Sequence, residues 1–285
     1  MDILQQTRID IIRTLKSPKL YIVMLISAFF LHNFIKSIKV YAAMEHIGIT
    51  PYVYPVYFSD WMNCIYILLS ITVLMSDAPF RGNNELYLSL RMNKYHWILS
   101  KILFIFILSV AFQFFFLICS IIMLLPYLGI SSGWGDALKG YIYNAGAYQL
   151  AVGDSASAAH LIETYLPTKA LVLEFLLMSL FGFALGLLIF LLNEVIWRYS
   201  GIIVSLAIIC LDLFIRTVRQ FSSIKLSYIW EIPSWFSLGS EVYTAVGSNI
   251  SLILIFGFLI LFIFVFTSLI LITAKRKFIN ILKGV

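Results

Sequence analysis

Charge is what this chain of 285 residues has least of. Asp, Glu, Lys and Arg make up 12% of it, against roughly 25% in a soluble protein. The shortage is concentrated: 102–125 runs twenty-four residues, and 242–274 thirty-three, without one charged side chain. As helices rising about 1.5 Å per residue, both are long enough to cross a hydrocarbon core of about 30 Å, which excludes a water-soluble fold. Cysteine is scarce too. The three, Cys64, Cys119 and Cys210, each fall in an apolar run, which argues against a disulfide framework or a zinc site and for small buried apolar side chains. The four histidines are scattered at 32, 46, 96 and 160, with no HExxH or paired-acid motif, so an intramembrane enzyme has little to work with. No GxxxxGK[ST] phosphate loop is present, and the chain has no means of hydrolysing ATP by itself.

What is present is apolar: 61% of residues, with a mean hydropathy of +0.96. The pattern predicts an all-α integral membrane protein of one domain with six spans, about 19–42, 59–77, 97–126, 169–193, 200–218 and 247–274. Thirteen of the twenty Lys and Arg then fall on one side, including Arg8, Arg13, Lys16 and Lys19 before the first span and Lys275, Arg276, Lys277 and Lys283 after the last. The positive-inside rule puts both termini in the cytoplasm, with Arg216, Arg219 and Lys225 as exceptions outside. The net charge of +6 follows from that asymmetry and does not signal nucleic acid.

The first eighteen residues read as an interfacial amphipathic helix. Leu4, Ile11, Ile12 and Leu15 lie on one side and Asp2, Gln6, Asp10 and Arg13 on the other. Ser17-Pro18 ends it. Outer loops are expected at about 45–58, 126–168 and 219–246, the second with a short helix from Asp154 or Ser155 through Glu163. Cytoplasmic residues 76–101 read as a loop, a short helix over about 83–92 and the start of the third span. Asn83 or Asn84 would cap that helix, with Glu85 in its first turn and Arg91 near its end. Leu86, Tyr87, Leu88 and Leu90 give it more apolar surface than a solvated helix should carry.

Polar groups inside spans are candidates for function because burying them is costly. Asp212 and Arg216, spaced i, i+4, are placed to pair as a structural ion pair at the outer mouth or as part of a gate. Glu174 and Lys169 are placed near the outer end of the fourth span, where a charged side chain reaches water easily. His32, Asn33, Asn63 and Gln113 are expected to bond neighbouring helices, and Phe112, Phe115 and Phe116 to pack or to line an apolar cavity. Ser179, Gly182 and Gly186 form a small-residue stripe that suits either packing within the chain or contact with a second subunit. In 227–246, Trp230 and Trp235 flank Glu231 and Pro233, which suits an outer gate or an interfacial aromatic belt alike.

Taken together, an N-terminal interfacial helix, six spans, a large loop after the third and an aromatic, proline-bearing loop before the sixth resemble the membrane subunit of an ABC-2 type, type V-like exporter. The segment with Asp77, Gly82, the Leu/Tyr-rich helix and Arg91, Tyr95 and Lys101 carries the motif content. The resemblance implies that 83–92 is a coupling helix docking into a cytoplasmic ATPase through Glu85, Leu86, Tyr87, Leu88, Leu90 and Arg91. It implies that the N-terminal helix is the connecting helix beside it, and that 227–246 is the outer re-entrant segment. The chain itself then binds no cofactor, while ATP and Mg sit on a separate ATPase chain present in two copies. Its other expected partners are an identical or related permease subunit and the lipids of a bacterial cytoplasmic membrane. The function implied is export of an amphipathic or hydrophobic compound such as an antimicrobial peptide, a drug or a lipid-linked molecule. An ion-gradient-driven transporter or channel, and a membrane sensing or immunity module, are the alternatives. The first is disfavoured by the uncharged centres of spans three and six.

Overall fold

The computed structural model describes residues 2–80, 93–129, 131, 133–144, 155–221, 236–239 and 252–283. They form ten α-helices and no strand. These are α1 (Ile3–Leu15), α2 (Pro18–Glu45), α3 (Val53–Ser59), α4 (Trp61–Met75), α5 (Lys94–Leu124), α6 (Asp136–Asn144), α7 (Ser155–Thr164), α8 (Pro167–Val195), α9 (Ser200–Phe221) and α10 (Leu252–Lys283). Five of them are long and apolar enough to cross a membrane, six if the bent pair α3–α4 counts as one span. The chain is thus an all-α, multi-pass membrane protein. The 83–92 helix and its six docking residues, and Trp230, Glu231, Pro233 and Trp235, lie outside the described residues.

Local chemistry explains where the helices begin. α2 and α8 open with Pro18 and Pro167, each at a first-turn position where the missing N–H costs nothing. Asp60 and Asn93 cap α4 and α5, accepting the Met62 and Tyr95 amides at 3.2 Å each. α8 is the axis of the bundle: 72% of its apolar window is buried, against 17% for α10. It packs on α3, α4, α5, α9 and α10.

The Ser179–Gly182–Gly186 stripe lies on α8's inner side. Ser109 of α5 donates its hydroxyl to the Ser179 carbonyl at 2.7 Å, and a Cβ on Gly182 would stand 2.5 Å from Ser109 Oγ. A side chain on Gly186 would meet Ile105 and Met75. The stripe therefore brings α5 and α4 of the same chain against α8.

Three expectations need correcting. The 45–58 connection is not an interfacial loop, because all seven residues of α3 are buried, and α3 meets α4 at an angle of 97°. α4 itself lies within the run 59–77 expected as the second span, and the bend stands at its start, where α3 joins it. Among the cysteines only Cys64 is buried, Cys119 being half-buried and Cys210 exposed. His32 and Asn33 lie on the exposed face of α2, not against a neighbouring helix. Phe112 and Phe116 are core residues; Phe116 packs on Tyr54, Tyr57 and Phe58 of α3.

The described residues of 126–168 form a folded cap that includes the expected short helix, α7. Residues after α2 pair with those after α5: the Ile49 amide donates to the Tyr127 carbonyl at 2.7 Å and the Gly129 amide to Ile49 at 2.9 Å. The backbones approach so closely that a Cβ on Gly48 would lie 2.7 Å from Gly129 Cα. Trp134 is buried, donating its indole N–H to the Tyr165 carbonyl, while Thr50 donates to the Trp134 carbonyl. Tyr141 of α6 packs edge-on to Tyr41 of α2, and burial pushes its phenol up to about 12. Tyr143 of α6 donates to Glu163 of α7 at 2.8 Å.

At the other end of the bundle the turn between α8 and α9 is equally tight. A Cβ on Gly201 would stand 2.6 Å from both the Cα and the carbonyl oxygen of Ile189. Since those are backbone atoms with no rotamer to yield, Gly201→Ala is expected to cost about 1–3 kcal/mol. Thermal unfolding of the purified protein in mild detergent, followed by tryptophan fluorescence, measures it.

Candidate functional site

The polar residues converge at two places, one at each end of the bundle. The first gathers α1, the turn after α4, the start of α5 and the α8–α9 turn. α1 turns its polar face inward: Gln6, Thr7 and Asp10 are buried, while Leu4, Ile9, Ile12 and Leu15 are exposed. That arrangement leaves an apolar face free to lie on a bilayer. What draws the polar face in is Lys101. Its Nζ lies 3.0 Å from each oxygen of Asp10, and both side chains are fully buried. Gln6 donates to the same carboxylate at 3.4 Å, and Arg13 stands 3.6 Å from it. The Thr7 hydroxyl is shared between the Ile3 carbonyl at 2.9 Å and the Ser100 carbonyl at 3.2 Å, adding a second, weaker link from α1 to α5.

The knot extends to the chain just before 81–92. Phe80 takes φ +57°, the left-handed region that a bulky residue seldom enters. Its ring packs edge-on to Phe104 at 4.8 Å, and its carbonyl accepts from Arg13 at 3.1 Å and Lys101 at 3.4 Å. The same turn is held from two more sides. Asn193 of α8 donates to the Ala78 carbonyl at 2.7 Å and accepts the Gly201 amide at 2.9 Å. Lys19 bonds Ser76 and pairs with Asp77 at 2.7 Å. A cavity of about 640 Å³ opens between these elements, lined by Arg13, Lys19, Asp77, Asn193, Glu194 and Arg198 among others.

The second place is the break between α3 and α4. Backbone groups freed inside a membrane must be satisfied by protein or by water. Here side chains supply the donors. Ser59 bonds the Val56 carbonyl at 2.7 Å, and Asn63 the Tyr57 carbonyl at 3.2 Å. The Phe58 carbonyl accepts from the Cys64 thiol at 2.9 Å and from the Ser237 hydroxyl at 2.5 Å. Residues 236–239 thus lie against the break. Phe236 stacks on Phe181 at 4.0 Å, and the Leu238 amide donates to Glu174 at 3.0 Å. Glu174 is fully buried and does not reach out to water as its position near the end of α8 suggested. Its carboxyl lies deep because residues 236–239 and α3 cover that end of the helix. Gln113 of α5 accepts from Tyr54 of α3 at 2.9 Å.

Asp212 and Arg216 do pair, at 3.2 Å, both buried, with the guanidinium 5.5 Å over the Trp61 ring at the start of α4. Among the described residues no three of His, Cys, Asp and Glu converge to hold a metal ion. No family model, curated protein or solved structure matches this chain.

Asp10, Lys101, Phe80, Asn193, Cys64 and Ser237 were not singled out for these roles in the sequence. Lys101 alone left a signal, as the last charge before the uncharged run of α5. Removing one member of a buried pair strands the other, at about 3–5 kcal/mol. Lys101→Met is therefore expected to destabilise the protein by about that much, since Arg13, 38% exposed and 3.6 Å from one oxygen of Asp10, replaces the ammonium only in part. Adding Asp10→Asn should recover much of the loss. Chemical unfolding of the two variants and the wild type in detergent checks both statements.

Proposed function

We propose that the chain is the membrane subunit of an ATP-driven exporter of the ABC-2 type, moving an amphipathic or hydrophobic compound outward while a separate ATPase supplies the energy. The observation that carries this reading is the anchoring of both flanks of 81–92. On one side Phe80 is held by Arg13 and Lys101; on the other Asn93 caps α5. A push or pull on the intervening segment is delivered at once to α1, α5 and, through Asn193 and the Ala78 carbonyl, to the central helix α8. That is the mechanical property a coupling segment needs. Glu85 and Arg91 with Leu86, Tyr87, Leu88 and Leu90 are its proposed docking residues. The distribution of Lys and Arg supports a cytoplasmic location for this end.

A second membrane subunit is part of the proposal. α2 exposes His32, Asn33 and Lys36 about midway along its 28 residues, between apolar residues that suit lipid. Polar groups at that depth are costly against acyl chains and suit a protein neighbour or a wet cavity.

One observation favours the alternative of an ion-gradient-driven transporter: the helix break beside a buried acid, Glu174. Affinity purification of the chain from native membranes in mild detergent, with mass spectrometry and an ATPase assay, separates the two. The exporter reading expects a near-stoichiometric ABC ATPase. Recovery should fall about tenfold or more for Glu85→Ala with Arg91→Ala, equivalent to ~1.4 kcal/mol or more of docking energy. A clean preparation without an ATPase contradicts it and favours the gradient-driven transporter.

A further inference from the structure

Glu174 stands in an arrangement that the exporter reading does not require. Its carboxyl is fully buried on α8; Oε2 accepts the Leu238 amide, and Oε1 has no hydrogen-bond partner among the described residues. Among the described residues no Lys, Arg or His pairs with it. Ionisable groups that sense its charge include Tyr54 of α3, Cys64 of α4 and Tyr165 just before α8, none of them a cation. α5 brings no charge between 102 and 124, and α10 none between 252 and 273. From α9 comes the Asp212–Arg216 pair, whose guanidinium is engaged by Asp212 and by the face of Trp61.

Among the described residues a carboxylate in such a place has no counter-charge, and the neutral acid is far cheaper to bury. What Glu174 holds is also unusual. Residues 236–239 are kept against the bundle by the Leu238 amide on Glu174, the Ser237 hydroxyl on Phe58, the Phe236–Phe181 stack, the buried Leu238 side chain and the close approach of Gly239 to Ser59. One of these contacts rests on a side chain that gains or loses charge with one proton.

We propose that Glu174 is a proton-binding site, and that the proton latches residues 236–239 onto the break between α3 and α4. In the arrangement seen, the neutral carboxyl accepts the Leu238 amide while buried in the bundle. When the O–H bond breaks, the proton passes to water and leaves a buried anion for which the Leu238 amide, though it then bonds more strongly, is the one donor among the described residues and does not replace hydration. Residues 236–239 then withdraw and admit water to Glu174. The latch operates whatever drives the chain, so it stands apart from the ATPase reading.

The test uses the full chain in nanodiscs of phosphatidylcholine and phosphatidylglycerol. Infrared difference spectra between acidic and alkaline buffer should show the C=O band of a protonated carboxyl that is lost on alkalinisation. The band should be absent in Glu174→Gln and shifted in Glu174→Asp. Hydrogen exchange at 236–239 is then compared between wild type and Glu174→Gln at each pH, which cancels the intrinsic pH dependence of exchange. The ratio should be near one while the band is present and rise about tenfold or more once it is lost, because the amide of Gln stays neutral. A carboxyl band unchanged in both variants, or a ratio that stays flat across the titration, overturns the proposal. Should Glu174→Gln fail to fold, the wild-type band and its shift in Glu174→Asp decide. ATPase recovery is a separate measurement, so its failure leaves this result intact.

Discussion

One end of the molecule depends on a buried ion pair. An ammonium and a carboxylate taken out of water are tolerated only when they face one another at hydrogen-bond distance and their remaining valences are filled. Lys101 and Asp10 meet that condition at 3.0 Å, with Gln6 on the carboxylate and the Phe80 carbonyl on the ammonium. Everything nearby follows. α1 has to present its polar face to α5, so Leu4, Ile9, Ile12 and Leu15 face outward while Ile11 packs against the core. Phe80 has to offer its carbonyl inward, so the chain turns through a left-handed residue before entering 81–92. The proposed coupling segment thereby hangs from a fixed frame rather than from a flexible tether.

The other end solves a different problem with neutral groups. A helix broken by 97° releases carbonyls where no bulk water reaches, and Ser59, Asn63, Cys64 and Ser237 each give one a donor. Three of the four come from within five residues of the break. The fourth comes from 236–239, which makes that segment part of the membrane body. Between the two ends α8 runs as a common strut, tied to the α4–α5 connection by Asn193 and to residues 236–239 by Glu174. A displacement at one end therefore has a continuous packed route to the other, through Gly182 and Gly186 against α5 and α4.

Much of this was legible in the sequence, and for definite reasons. Uncharged runs are set by the solvent, so the spans containing α2, α5, α8, α9 and α10 emerge from hydropathy alone. Pro18, Pro167 and Asn93 mark starts through backbone chemistry that acts locally. The Asp212–Arg216 pair is legible because i, i+4 spacing on a helix guarantees proximity. Long-range pairings are a different matter. Nothing in 1–16 says that Asp10 meets a lysine 91 positions later. The aromatic stretch 52–58 has the composition of an interfacial belt, and only the cover provided by α5, α7 and α8 turns it into a buried helix. Glu174 looked able to reach water because hydropathy cannot see the segment that closes over it.

The claim on which the account rests is that the Asp10–Lys101 pair makes α1 part of the membrane body. Spin labels placed at exposed Arg8 and His96, with Cys119 and Cys210 replaced by serine, measure the distance between α1 and the start of α5 in nanodiscs. The account predicts one narrow distance distribution in the wild type that broadens when Lys101 is methionine. A broad distribution in the wild type, or a narrow one untouched by that substitution, would contradict it.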